Sequence, residues 1–224
     1  MYYLALLAVA VVSYLIGSLN SAIISVSIIK RQDIRDFGSH NAGLTNVYRT
    51  FGGISAALTL IIDVLKGLIV VFGTEAALFW SGLFSAEEHS VVTACMIASM
   101  FAVMGHCFPI FYGFKGGKGI LIAAVCTICI NPLVFLFAVI VFLVVFITTR
   151  YVSLSSISCC VVYPICYILA DLIMFGGVNL YTLVHVCIAL AMGIFCFVRH
   201  YPNIQRLRNH TESKFTFRKW GENK

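Results

Sequence analysis

Long apolar segments alternate with short polar stretches along almost the whole chain. The apolar segments cover roughly 4–29, 53–73, 91–110, 119–131, 133–149, 152–175 and 178–198. A helix that crosses a bilayer needs about 20 mostly apolar residues, so this pattern predicts seven transmembrane helices. The fourth and fifth segments are short and meet at Asn131-Pro132, a pair that favours a tight turn. One broken helical hairpin at this point is the alternative, and it would change the number of spans.

Composition places the chain among integral membrane proteins. Hydrophobic residues make up 61% of the 224 residues and charged residues only 11%, which excludes a soluble globular domain. No repeat or linker divides the chain, so we expect one all-α, membrane-embedded domain over 1–224, with a basic tail over 199–224. The first segment is too long for a signal peptide and is interpreted as an uncleaved span. The nine cysteines lie in apolar segments and are interpreted as small hydrophobic residues, not as metal ligands.

Basic residues are distributed asymmetrically between the loops. Under the seven-span interpretation, nearly all Lys and Arg residues fall in the first, third and fifth loops and in the tail. The opposite loops carry Glu75, Glu87 and Glu88. Because cytoplasmic loops are enriched in Lys and Arg, we predict an N-terminus outside the cell and a cytoplasmic C-terminus. The net charge of +6 adds weak attraction to anionic lipids of the bilayer and does not indicate nucleic-acid binding.

Four polar clusters lie on the predicted cytoplasmic face. They are the first polar loop (33–49), the glycine-lysine loop (105–119), the serine segment (150–156) and the C-terminal cluster (199–209). The opposite loops offer nothing comparable. The sequence therefore predicts a site assembled from several loops at one membrane face.

The first polar loop has the composition of a phosphate-binding site. Arg35 and Arg49 can each hold a phosphate through two parallel hydrogen bonds. A turn with helix caps is the alternative, but a cap needs only one short polar residue. The loop offers four such residues within eight positions, namely Ser39, Asn41, Thr45 and Asn46.

The glycine-lysine loop also suits an anion. Gly116 and Gly117 let the backbone approach a ligand closely, and neighbouring N–H groups can form an anion-binding concavity. Lys115 and Lys118 add positive charge. The loop lacks the spacing and the Ser or Thr of a nucleotide-binding P-loop. The alternative is a flexible, positively charged turn between two spans.

Asp63 and Lys66 place opposite charges inside the second predicted span. They lie at i and i+3 of one helix and therefore face the same side. A charged pair inside a membrane marks a functional site by default. We favour a structural ion pair that positions the helix, since mutual neutralisation is the simplest way to tolerate both charges.

Taken in order, these clusters resemble the motifs of the bacterial acyl-phosphate-dependent glycerol-3-phosphate acyltransferases, the PlsY family. The first polar loop is similar to D-[IL]-R-x-x-G-S-G-N-x-G-A-T-N-x-x-R, and 105–119 is similar to G-H-x-[FY]-P-[VI]-F-x-x-F-K-G-G-K-G. The family's LD-x-L-K-G appears at 63–67 and its RYVSL-x-S at 150–156. Its H-R-E-N-I-x-R-L resembles 200–207. The resemblance extends from about residue 14 to 214.

This resemblance implies seven transmembrane helices in the bacterial inner membrane, with an active site facing the cytoplasm. It implies transfer of an acyl group from acyl phosphate to the 1-hydroxyl of glycerol-3-phosphate, giving lysophosphatidic acid and phosphate. It also implies a partner enzyme that produces acyl phosphate or a second acyltransferase that acts downstream. Because an acyl phosphate is already activated, we expect no covalent intermediate, cofactor or metal.

The resemblance also assigns residues. By position, Ser39, His200 and Asn203 are expected to be catalytic, with either His200 or a substrate phosphate as the base. The residues expected to bind substrate or phosphate are Asn41, Thr45, Asn46, Arg49, Lys115, Gly116, Gly117, Lys118 and Ser156.

Several residues depart from the family pattern. His40 replaces a glycine and Leu44 replaces an alanine in the first polar loop. Tyr201-Pro202 replaces an Arg-Glu pair, and Asn20 stands where the family often has proline. A catalytically silent relative that binds lipid or a partner enzyme is therefore the second hypothesis. A transporter of an anionic solute is the third, and it would place polar groups near the bilayer midplane.

Overall fold

The computed structural model describes residues 2–82 and 88–216, and within these ranges every regular element is a helix. The predicted all-α class is therefore confirmed. Two short 3-10 turns lie at Ile34–Asp36 and Ile110–Tyr112. The α-helices are α1 (Tyr2–Ser18), α2 (Ser21–Lys30), α3 (Leu44–Phe51), α4 (Gly53–Trp80), α5 (Glu88–Cys107), α6 (Ile120–Ile130), α7 (Pro132–Thr149), α8 (Val152–Phe175), α9 (Leu180–Arg199) and α10 (Tyr201–Arg208).

Six helical stretches of the described chain are long and apolar enough to cross a membrane. They are Tyr3–Lys30, Gly53–Trp80, Ser90–Tyr112, Pro132–Thr149, Val152–Phe175 and Leu180–Arg199. The fourth predicted span corresponds to α6, which has only 11 residues. At 1.5 Å per residue, α6 is roughly half as long as the hydrocarbon core of about 30 Å.

Asn131 separates α6 from α7, as the Asn-Pro pair predicted. Its side-chain oxygen accepts hydrogen bonds from the N–H groups of Leu133 and Val134, each at 3.1 Å. Asparagine is a favoured N-cap, and proline fits the first turn because its missing N–H has no helical partner there. The two helices are consequently joined by a single capping residue.

The first apolar segment corresponds to one candidate span, Tyr3–Lys30, but it consists of two helices. α1 ends at Ser18 and α2 starts at Ser21. Asn20, between them, has an extended backbone, and its side-chain oxygen accepts the N–H of Ile23 at 3.1 Å. This cap allows a new helix to start, because the Asn20 oxygen accepts a backbone N–H of the first turn. In an uninterrupted helix that N–H would donate to a backbone carbonyl of the preceding turn.

The helices pack as a bundle around a small-residue core. α1 lies along α5, and α8 lies between α7 and α9. Gly17 and Gly105 sit at the α1–α5 contact, where a Cβ on either would overlap a backbone carbonyl of the other helix. Glycine permits such close packing between membrane helices. Buried Val71, Val103 and Ile122 belong to the core where α4, α5 and α6 meet.

The four polar clusters meet at one end of this bundle, through contacts described below. The loops that carry these clusters therefore form one polar surface, whereas a transporter of an anionic solute would build its substrate site near the bilayer midplane. Two features of the charge pattern lie outside the described residues: the predicted outer-loop residue Glu87, and the tail beyond residue 216 with Arg218, Lys219 and Lys224.

Candidate active site

The first polar loop folds around the side chain of Asn46. Its Nδ2 donates to the carbonyls of Phe37 at 3.0 Å and Asn41 at 3.1 Å, and its Oδ1 accepts the Ser39 N–H at 3.0 Å. Asn46 is buried, and both of its amide hydrogens are used within the loop. The structure thus gives Asn46 the geometry of a residue that positions Ser39, where the sequence predicted a substrate contact.

The glycine-lysine loop returns against the C-terminus of α5. The N–H groups of Gly116 and Gly117 donate to the carbonyls of Cys107 and His106, at 3.2 and 3.1 Å. These two N–H groups therefore close the loop on its own helix and do not contribute to an anion-binding concavity. Glycine is required at Gly117 for another reason: a Cβ there would overlap the Ala42 carbonyl oxygen and the His106 ring.

Lys118 connects the glycine-lysine loop to the C-terminal cluster. Its Nζ donates to Oδ1 of Asn203 at 2.5 Å. Arg199 donates to the Gly117 carbonyl at 3.2 Å and lies over the ring of Phe108. Burial lowers the pKa of Lys118 to about 8, while the Glu212 carboxylate opposes that change. Lys118 is consequently a partly dehydrated cation, which attracts phosphate more strongly than a solvated one.

His200 is buried at the end of α9 in a defined tautomer. Its Nδ1 lies 2.8 Å from the Cys196 carbonyl, and a carbonyl can only accept, so Nδ1 carries the hydrogen. Nε2 therefore offers a lone pair, and the residue lines the cavity described below. Burial and the charge of Lys118 lower the pKa of His200 to about 4, so the ring is neutral at physiological pH.

Glu212 joins the site from the tail, and it is not among the residues predicted from the sequence. Its carboxylate accepts hydrogen bonds from Ser153 at 2.6 Å, Asn203 at 2.8 Å and Arg206 at 2.6 Å. The side chain is only 6% exposed. Burial would raise the pKa of Glu212, but these three donors outweigh it and lower the pKa below its usual value. No local motif in the sequence marks this residue, since its partners come from α8 and α10.

The tail that carries Glu212 folds back over the first polar loop. Arg49 donates to the Ser213 carbonyl at 3.0 Å, and the Phe215 N–H donates to the Arg150 carbonyl at 2.8 Å. The Phe215 ring stacks on Tyr48. Residues 33–49, 150–156 and 199–216 therefore form one continuous surface.

Two cavities meet at this surface. A polar cavity of about 670 Å³ opens beside the first polar loop and is lined by charged groups, among them Lys115, Arg199 and the ion pair of Arg35 with Asp33. An apolar cavity of about 460 Å³ runs between α6, α7, α8 and α9, past Ala138, Tyr163 and Met192. The residues that line both cavities form a shared wall: Ser39, Asn41, Lys118, Asn203 and Arg206.

The remaining predicted residues distribute around these cavities. Thr45 and Arg49 line the apolar cavity near its polar end. Ser156 also lines it, although its hydroxyl donates to the Val152 carbonyl within α8. Gly116 lines the polar cavity, whereas Gly117 lines neither and lies beneath the loop. The fold thus gathers the predicted residues, and their roles stay predictions.

The intramembrane pair of Asp63 and Lys66 has a third member. Lys66 Nζ lies 3.3 Å from Asp63, as the ion-pair interpretation predicted. Nδ1 of His106 lies 3.5 Å from the same carboxylate and 3.4 Å from Lys66. The sequence position of His106 does not indicate this contact, because it does not show that α5 packs on α4. The triad lies directly below the glycine-lysine loop.

Two departures from the family pattern have a structural explanation. His40 adopts a left-handed backbone with φ 56°, which glycine adopts at no steric cost, and its Nδ1 lies 2.9 Å from the Arg35 carbonyl. Pro202 sits in the first turn of α10, and Tyr201 is exposed. The short helix α10 leaves His200 and Asn203 both buried at the site.

Comparison with known proteins gives one consistent family. The model of the family described as glycerol-3-phosphate acyltransferase matches residues 7–210. A glycerol-3-phosphate acyltransferase of Chlorobium phaeovibrioides is 34% identical over 232 residues, covering 96% of this chain and 99% of that protein. The corresponding protein of Chlorobaculum parvum is 35% identical, covering 96% and 98%.

Two solved structures share the fold. Both are crystal structures of PlsY, an integral membrane glycerol 3-phosphate acyltransferase. The glycerol 3-phosphate form is 31% identical, with a TM-score of 0.75 over 94% of this chain and 96% of that chain. The lysophosphatidic acid form is 30% identical, with a TM-score of 0.71 over 94% and 95%.

Proposed function

Because the chain belongs to the glycerol-3-phosphate acyltransferase family, we propose that it transfers a fatty acyl group to the 1-hydroxyl of glycerol-3-phosphate. The product is lysophosphatidic acid. The second candidate is a catalytically silent relative that binds lipid, which the substituted Tyr201-Pro202 pair motivates.

The observation that carries this proposal is the shared wall between a polar and an apolar cavity. Glycerol-3-phosphate is small and anionic, and suits the side of the polar cavity lined by Lys115, Lys118 and Arg199, away from the Arg35–Asp33 pair. A fatty acyl chain suits the apolar cavity, which is lined by aliphatic and aromatic groups. The reacting carbonyl and hydroxyl would then meet at the wall, beside Ser39, Lys118 and Asn203.

We propose acyl phosphate as the donor. Its leaving group is inorganic phosphate, and the cations around the wall, Arg49, Lys118 and Arg206, are suited to hold it. The donor is a mixed anhydride and needs no activation by the protein. Binding two anions side by side and stabilising the departing phosphate supply the catalysis.

The proposed reaction is a direct displacement. The 1-hydroxyl oxygen forms a bond to the acyl carbon while the bond from that carbon to the phosphate oxygen breaks. A pKa of about 4 keeps His200 unprotonated at physiological pH, so its Nε2 can accept a hydrogen bond. The attacking hydroxyl has one hydrogen, which it donates to Nε2 of His200; the proton moves to this nitrogen as the bond to the acyl carbon forms and then passes to the departing phosphate, which is the stronger base.

We further propose seven spans, an external N-terminus and an active site facing the cytoplasm of the bacterial inner membrane. The one-sided Lys and Arg distribution supports this orientation. In this proposal α6 is the seventh crossing. Lys118 precedes α6 and Arg150 follows α7, and both lie at the end of the bundle that carries the candidate active site. The α6–α7 hairpin therefore returns the chain to the same side of the membrane. The test of this topology uses a membrane-impermeant thiol reagent and single-cysteine variants in a cysteine-free background. We expect the reagent, added outside the cell, to label Ser81→Cys and not Lys115→Cys. Labelling of both from one side would reject it.

A comparison of donors tests the proposed reaction. The purified protein is given glycerol-3-phosphate with palmitoyl phosphate, or with palmitoyl-CoA at equal concentration. We expect lysophosphatidic acid from the phosphate donor only. Turnover with the thioester alone would reject acyl phosphate as the donor, and binding of glycerol-3-phosphate without turnover from either would favour the silent relative. Formation of lysophosphatidic acid from palmitoyl phosphate would also imply a partner enzyme that produces acyl phosphate or one that uses the lysophosphatidic acid.

A further inference from the structure

The side chain of Asn20 lies beneath the place where the first polar loop and the glycine-lysine loop meet. Asn20 is fully buried. Its Nδ2 lies 3.5 Å from the Ala42 carbonyl oxygen, in the first loop, and 3.4 Å from the His106 carbonyl oxygen, at the base of the second. Its Oδ1 accepts the Ile23 N–H. Both ends of the amide therefore have partners, and the donor end faces both loops.

The two loops are in direct contact above this amide. The Ala42 carbonyl oxygen abuts Gly117 so closely that no side chain fits there. The His106 carbonyl that accepts from Asn20 also accepts the Gly117 N–H at 3.1 Å. Ala42 is followed by residues that line the apolar cavity, and Gly117 is followed by Lys118. A change in the position of either carbonyl therefore moves groups on the shared wall.

From this geometry we infer that Asn20 is a positioning residue that sets the spacing between the two loops of the substrate site. The inference rests on the proposed function, because it concerns how the loops hold two anionic substrates. Ser39 and Asn41 reach the wall from one loop, and Lys118 reaches it from the other. Catalysis by alignment is sensitive to shifts of a fraction of an ångström between such groups.

Capping of α2 is a separate task of the same side chain, and serine can perform it. Serine is a favoured N-cap, and its oxygen is an acceptor like Oδ1 of asparagine. Its hydroxyl is shorter than the carboxamide and has one hydrogen, whereas Asn20 has two hydrogens directed at two carbonyls. Asn20→Ser thus separates the start of the helix from the link between the loops. Asn20→Asp keeps the shape and the cap but places an acceptor against both carbonyls.

The test compares Asn20→Ser and Asn20→Asp with a matched control in purified, full-length protein. Ser25→Ala is the control, since Ser25 is buried on the same helix and its hydroxyl pairs with Thr59 on α4, away from the loops. The measurements are the melting temperature, KM and kcat, and the dissociation constant of glycerol-3-phosphate by titration calorimetry. We expect KM and the dissociation constant to rise about tenfold in both Asn20 variants, the scale expected from displaced binding groups, and to stay unchanged in Ser25→Ala.

Unchanged KM and affinity in a folded Asn20→Ser protein would overturn the inference. Loss of the folded protein in both Asn20 variants would overturn it as well, because the amide would then serve folding alone. The affinity measurement separates this inference from the proposed function. A native protein that binds glycerol-3-phosphate without turnover refutes the reaction, and the tenfold change in affinity still supports the role of Asn20.

Discussion

The ammonium group of Lys118 lies 2.5 Å from the side-chain oxygen of Asn203, which joins the glycine-lysine loop to α10. The other end of the Asn203 amide donates to Glu212, and Glu212 accepts from Arg206. A cation, an amide and a carboxylate therefore connect the glycine-lysine loop to α10 and to the tail that follows it. Because the Asn203 oxygen accepts from Lys118, the amide and the ammonium group both keep a fixed direction at the shared wall.

Removal of the Lys118 charge should impair acyl transfer in a folded protein. Lys118→Ala deletes a charge-assisted phosphate contact worth about 1.5–3 kcal/mol, so we expect kcat/KM to fall by about tenfold to more than a hundredfold. Lys30→Ala is the control, since Lys30 is exposed at the end of α2. Near-native kcat/KM in Lys118→Ala would contradict the assignment of this residue to a phosphate.

The low pKa of Lys118 predicts a pH dependence of substrate binding. Burial lowers this pKa to about 8, so the ammonium loses its proton as the pH rises through that value. Only the protonated form attracts phosphate, and glycerol-3-phosphate affinity should therefore fall above pH 8. Lys118→Arg keeps its charge at these pH values, so its affinity should stay level between about pH 8 and 10. Titration calorimetry across this range decides, and a parallel decline in both proteins would contradict the prediction.

Glu212→Gln should destabilise the folded protein at neutral pH. The carboxylate receives three hydrogen bonds, and loss of a charge-assisted bond costs about 1.5–3 kcal/mol. The pKa of Glu212 is lower in the folded state than its usual value of 4.5, so its stabilisation is present above that value. It is lost as the pH falls through the folded-state pKa. The melting temperature in detergent, measured between pH 3 and 7, should decline towards low pH in the native protein and decline less in Glu212→Gln. The same pH dependence of the melting temperature in both proteins would contradict this prediction.

The apolar cavity predicts which substitution changes acyl-chain preference. Ala138 lines this cavity from α7, so Ala138→Phe fills part of the space proposed for the chain. We expect the ratio of kcat/KM for a C10 donor to that for a C16 donor to rise at least several-fold. Ala191→Phe on an exposed face of α9 is the control and should leave the ratio unchanged. An unchanged ratio in Ala138→Phe would place the acyl chain elsewhere.

Local sequence features predicted the helices, the Asn131-Pro132 turn, the Asp63–Lys66 pair and the polar clusters that the fold gathers. Each of these depends on hydrophobicity or on residues a few positions apart. The break at Asn20 was missed because its cap lies inside an apolar segment that reads as one span. The closed N–H groups of Gly116 and Gly117, and the place of Glu212, were missed because they depend on how a loop and the tail fold back, which hydrophobic periodicity does not encode.

The measurement that tests the account most directly is the product balance of the purified native protein and of His200→Ala. Given palmitoyl phosphate and glycerol-3-phosphate, the native protein should form lysophosphatidic acid and inorganic phosphate in equal amounts. His200→Ala should lose most of this turnover while still binding glycerol-3-phosphate. The reason is that Nε2 of His200 is proposed to contact the attacking hydroxyl, whereas other side chains hold the phosphate group. The contradictory result is a native protein without turnover that gains activity when Tyr201→Arg and Pro202→Glu are introduced together.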